Sequence, residues 1–159
     1  FNQILSRRFM NFWLLFWHIL GACIWVGGHL YLCLCILPKA VRHQDSQPIL
    51  NFENSFEKLG MTALIVQVLT GFYMAHKYLP SFGMLTDYHN QISVLISMKI
   101  TWLIFTILTA LSAQLIVIPR LKKDLGNAKL RHIFAGHIIL VTVLGLAFMT
   151  TGVLFRTGF

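Results

Sequence analysis

Acidic residues are nearly missing from this chain: five Asp and Glu stand among 159 residues, against 13 Lys and Arg. Charge of either sign is scarce at 11%, less than half of the roughly one quarter carried by a water-soluble domain. That shortage excludes an ordinary soluble domain, and the 57% hydrophobic content excludes a disordered one. Cysteine is sparse as well. Cys23, Cys33 and Cys35 share one apolar run and imply no disulfide framework. Cys33 and Cys35 point about 200° apart on a helix, so they cannot grip one ion together, and small apolar packing is the role left to them. The net charge of +8 sits beside long apolar runs rather than on a polar face. No nucleic-acid partner is therefore expected.

What the chain has in abundance is length without charge. A membrane span needs about 20 mostly apolar residues, and four runs qualify: 12–37, 59–78, 92–119 and 133–155. Lys77 and Lys99 are the only Lys or Arg residues inside them. Lipid offers the backbone no hydrogen-bond partners, so such runs form helices unless they close into a barrel, and their lengths do not suit one. The expected fold is all-α, a single integral membrane domain built as a four-helix bundle. There is no repeat of the solenoid kind.

Four spans place the N-terminus, the second loop and the C-terminus on one side. That side has Arg7, Arg8, Lys77 and Arg156, while the other has Lys39, Arg42, Lys58, Arg120, Lys122, Lys123, Lys129 and Arg131. The positive-inside tendency then puts both termini outside, in a bacterial inner membrane. Most of the net charge is thus assigned to topology and anionic lipid headgroups. Ser46 to Lys58 reads as a short amphipathic helix lying on the surface, and Pro80 and Gly83 mark a turn in the second loop.

Ionisable side chains inside spans are costly and mark function. His18 and His29 lie in the first span, His76 near the end of the second, and His137 one turn into the fourth. Eleven residues separate His18 from His29, about three helical turns plus 20°, so both leave one face about 16 Å apart. Ala22 and Trp25 share that face. Counted from the span ends, His18 and His76 form an outer pair, and His29 and His137 an inner pair. Two bis-histidine layers in a bundle are what two b-type haems require. Gly71, Gly145 and Gly152 would allow a macrocycle or a helix to approach closely.

Lys99 lies near the depth of the outer pair and needs a partner: a haem propionate, iron itself, or a substrate proton. Snorkelling to the outer interface is the alternative. Gln67 and Gln114 are expected to form interhelical hydrogen bonds. Copper is a second cofactor to weigh. Met10, Met74, Met84 and Met98 gather near His76 and His89, and thioether with imidazole suits Cu(I).

The run from His18 through Trp25 to Gly28, followed by Leu37-Pro38, resembles the first helix of the CopD-type copper-resistance membrane proteins. Thr70-Gly71, Met98-Lys99 and Ile118-Pro119-Arg120 extend the resemblance over most of the chain. It implies a copper-handling role at the membrane. The chain is also similar to the HemJ-type protoporphyrinogen oxidases, in which a first-helix His and a third-helix Lys act together. That similarity implies His18 and Lys99 as the pair, although the interval from Trp25 to Pro38 is longer than the HemJ pattern has. Three expectations follow. The first is a b-type cytochrome passing electrons between a quinone-level partner and an acceptor, alone or within a larger respiratory complex. The second is a copper carrier using Met74, His76, Met84 and His89. The third is a porphyrinogen oxidase using His18 and Lys99.

Overall fold

Helices account for nearly every residue placed. The computed structural model describes residues 2–79, 81, 83, 85, 87 and 89–157, with side chains from Phe9 onward. Four long helices, α1 (Asn2–Tyr31), α3 (Gln47–Tyr78), α4 (Gln91–Ser112) and α6 (Ala128–Thr157), carry the apolar runs. Two short ones, α2 (Leu37–Arg42) and α5 (Ile118–Lys123), prolong α1 and α4 through π-helical turns at Leu32–Ile36 and Ala113–Val117. No strand occurs among the described residues.

The helix starts follow local chemistry. Pro48 sits in the first turn of α3, where the missing N–H costs nothing, whereas Pro38 and Pro119 lie just after the two π-helical turns within continuous helices. Asn90 caps α4 by accepting from the Ile92 amide at 3.0 Å, and Asn127 caps α6 by accepting from Leu130, also at 3.0 Å. One expectation needs correcting. Residues 46–58 do not form a separate surface helix; from Gln47 onward they are the opening turns of α3. Nothing between Lys58 and Leu59 breaks a helix, so the polar turns run straight into the apolar ones. Of the second-loop turn residues, Pro80 lies outside the described residues and Gly83 within them.

All four long helices are long and apolar enough to cross a membrane. Their outward faces carry Leu34, Leu69 and Leu115, each at least 66% exposed, where only lipid would accept them. The chain is an integral membrane protein in a bilayer environment. Its larger buried cluster lies at the end holding the two short loops 43–46 and 124–127 (the loop end), around Leu32, Ile49, Ile118 and Leu121. There Ser46 Oγ donates to the Leu125 carbonyl at 3.2 Å and Arg131 Nη1 to the Gln44 carbonyl at 2.8 Å, tying loop to loop. The opposite end, with both termini, is the terminal end.

Packing is pairwise: α1 lies on α3, α4 lies on α6, and the pairs join along α1 and α6. The register of α1 against α3 is fixed by Asn11 bonding Lys77, His18 bonding Thr70, and Gly28 and Gly60 sharing the Phe56 ring. Gly21 closes the contact. A Cβ there would stand 2.9 Å from the Ala63 carbonyl oxygen and 2.9 Å from Gln67 Cγ. Gly21→Ala must therefore push backbone from backbone. It should cost about 1–3 kcal/mol, read as a lower melting temperature in detergent; an unchanged melt would show that α1 and α3 are less tightly apposed.

Candidate functional site

The seam between α3 and α4 is the loosely packed one, and it opens as a cleft toward the loop end. Trp25 and His29 of α1, Phe56 and Gly60 of α3, Gln114 in the second π-helical turn and His137 of α6 line it, around a cavity of about 50 Å³. Glu53 of α3 also reaches it, and accepts a hydrogen bond from Gln114 across the seam. The expected interhelical role of Gln114 is therefore seen. Glu53 itself was not anticipated, because it falls in turns read as surface rather than span.

The imidazoles in the spans have defined tautomers. His29 Nδ1 lies 2.8 Å from the Trp25 carbonyl, which can only accept, so Nδ1 carries the proton and Nε2 the lone pair. His137 Nδ1 likewise lies 2.8 Å from the Ile133 carbonyl, and its Nε2 is 3.1 Å from Ser112 Oγ, which donates to it. At His18 the partner is a hydroxyl, and the tautomer follows from a second bond. Thr70 Oγ1 donates its proton to the Val66 carbonyl at 2.6 Å, so it must accept from His18 Nδ1 at 2.9 Å. Each ring thus spends Nδ1–H on an anchor, the arrangement that orients metal-binding histidines, and the Nε2 lone pair of His137 is already engaged by Ser112.

Not every expected pair is brought together. His29 and His137 line the same cleft. The Thr142 hydroxyl, however, sits 3.3 Å from the His29 carbonyl, so His137 enters about 7 Å nearer the loop end. His18 and His76 do not meet. The α1–α3 register puts His76 level with Phe12, about 9 Å beyond His18, and its side chain is exposed. Trp25 is 6% exposed and lies 4.4 Å, ring to ring, from His29, which agrees with a place in the cleft wall.

Lys99 stands within electrostatic reach of His18. Its Nζ lies over the Phe148 and Phe155 rings at 5.4 and 5.8 Å, and it has no carboxylate partner among the described residues. Trp102 and Thr106 follow Lys99 on its face of α4, as the helical period expects. Trp102 has a buried indole N–H without an acceptor among the described residues, and Thr70, of the Thr70-Gly71 step, sets the His18 tautomer.

The copper residues are scattered. His76 and His89 are exposed and Met74 half-buried, while Met84 lies outside the described residues. No cluster of three or more His, Cys, Asp or Glu side chains suited to a metal ion occurs among the described residues. Cys23 and Cys35 face outward and Cys33 is half-buried, all unpaired. No family model, no curated protein and no solved structure matches this chain.

Proposed function

We propose that the chain is a membrane cytochrome of the b type, with haem entering the α3–α4 cleft and His29 and His137 as its imidazole donors. One observation carries this: a single intramembrane cleft holds two histidines whose Nδ1–H groups are both held by carbonyls four residues earlier. The donor types suit an iron porphyrin, provided His137 Nε2 releases the Ser112 hydroxyl and the cavity of about 50 Å³ widens to admit it. Space for the macrocycle depends on the Phe56 ring, which fills the gap between Gly28 and Gly60 and leans edge-on to His29 at 5.8 Å. Haem, when bound, supplies one-electron chemistry. The protein's part is to orient the imidazoles through their backbone anchors and to close the loop-end mouth through the Glu53–Gln114 bond. Electrons would pass between a quinone-level partner and an acceptor, in a bacterial inner membrane with both termini outside.

Purification in detergent followed by oxidised and dithionite-reduced spectra, with haem and copper assayed per chain, tests this directly. One haem per chain is the expected outcome. Haem-free protein with stoichiometric copper would replace it by the CopD-like reading.

The approach of Lys99 to His18 favours a second reading, porphyrinogen oxidation of the HemJ-like kind at the terminal end. It requires Lys99-dependent porphyrinogen consumption, which the cytochrome reading does not.

A further inference from the structure

The second half of the chain repeats the first. Adding 81 to a residue number carries the π-helical turn Leu32–Ile36 onto Ala113–Val117 and α2, Leu37–Arg42, onto α5, Ile118–Lys123. The same shift carries Gln47, where α3 starts, onto Ala128, where α6 starts. Pro38 falls on Pro119, Lys39 on Arg120, and the step Thr70-Gly71 on Thr151-Gly152. Side chains follow the backbone. Thr70 donates to the Val66 carbonyl at 2.6 Å, and Thr151 to the carbonyl of Ala147, the equivalent of Val66, at 2.7 Å. Each half has two spans, so equivalent helices run the same way. The halves are parallel repeats about an axis along the membrane normal.

Under this operation His18 falls on Lys99. Each faces the Thr-Gly step of its own half: a Cβ on Gly71 would lie 3.2 Å from His18 Cε1, and a Cβ on Gly152 3.5 Å from Lys99 Nζ. The two positions are equivalent under the pseudo-two-fold, one offering a lone pair at Nε2 and the other an ammonium without a carboxylate partner among the described residues. Trp102 follows Lys99 by three residues on the same face of α4, and its buried indole N–H lacks an acceptor among the described residues. Its equivalent in the first half is Gly21, so only the Lys99 side carries this second donor.

We propose that this layer binds the headgroup of a lipophilic para-quinol or quinone lying on the pseudo-two-fold axis. Such a ring has an oxygen at either end, related by its own two-fold axis, and the duplicated positions present one polar group to each. The quinol hydroxyl on the first-half side donates to His18 Nε2. The oxygen on the second-half side accepts from Lys99, with Trp102 as a further donor. Phe148 and Phe155, already against Lys99, give the ring an aromatic wall, and the bilayer delivers a ligand of this kind laterally. The site stands whether or not haem occupies the cleft.

The test is a binding titration of the purified protein in nanodiscs with decylubiquinone and decylubiquinol. Lys99→Met should weaken binding about tenfold or more. Because it removes an unpaired cation from an apolar setting, its melting temperature should not fall, which separates lost binding from lost folding. Trp102→Phe should weaken binding about threefold. The double variant His18→Lys with Lys99→His exchanges the two equivalent groups and should bind within about tenfold of the parent, while either single change binds worse. Quinone binding unchanged in Lys99→Met overturns the proposal. So does absence of quinone binding in the folded parent, or a folded double variant that binds no better than the singles. Displacement of quinone by decanoate at lower concentration would reassign the layer to a lipophilic carboxylate.

Discussion

His29→Ala protein is expected to come off the membrane without haem, losing the reduced-state absorbance entirely while keeping its helical content. The side chain makes one structural hydrogen bond, Nδ1–H to the Trp25 carbonyl within its own helix. Removing it leaves that carbonyl still engaged in the helix ladder, so the fold should lose little. The loss of an iron ligand is of another order, since Glu53, Glu57, Gln114 or the Met61 thioether, which also line the cleft, would have to replace an imidazole held in place by its backbone anchor. His137→Ala should behave the same way, and with it Ser112 loses the acceptor it now reaches at 3.1 Å. His76→Ala supplies the contrast: the side chain is exposed, so haem per chain should stay at the parental value. Haem retained at full occupancy in both His29→Ala and His137→Ala would remove the cleft from consideration as its seat.

The membrane bundle was legible in the sequence because its signal is bulk: four runs of span length that hold only Lys77 and Lys99 as cations can do little else in lipid. What surrounds the runs was harder to read. The first turns of α3 contain Glu53, Glu57 and Lys58, and polarity there resembles a surface segment although the helix is unbroken. That misreading hid Glu53, which bonds Gln114 across the cleft.

The histidines show where one-dimensional reasoning stops. That His18 and His29 share a face of α1 needs only the helical period, and both do carry a polar interaction at that face. Pairing them with residues of other helices needs register. Depth counted from the ends of apolar runs took the second span to begin at Leu59, whereas α3 begins at Gln47. The register that puts Asn11 beside Lys77 leaves His76 beyond His18 by about 9 Å, under two turns of helix. The depth of Lys99 was counted from Ile92, which lies two residues inside the Asn90 cap of α4. The duplication was present in the letters too, as a Pro followed by a cation and a Thr-Gly step recurring at one spacing. Those short matches gain weight only when the π-helical turns recur at the same offset.

Arg131 was counted among the loop cations that set topology, yet it is 2% exposed and the largest fully buried side chain among the described residues. Its Nη1 holds the Gln44 carbonyl at 2.8 Å, and Gln44 has the left-handed φ of 55° that a non-glycine residue adopts only when its surroundings hold it there. Arg131→Ala removes the stem from the loop-end core and leaves that carbonyl without its partner. The combined loss should be about 3–4 kcal/mol, seen as a melting temperature lower by roughly 10 °C. The repeat says which substitution should be tolerated. Leu50 is the equivalent of Arg131 in the first half and is buried to the same 2%. Arg131→Leu therefore restores apolar volume at a position built to accept it and withdraws a buried cation with no carboxylate partner among the described residues. Only the Gln44 hydrogen bond is then missing, at about 1 kcal/mol, so the drop should be less than half of that for alanine. Equal losses for the two variants would mean that the tie between the loops, rather than the filled volume, holds this end of the bundle together.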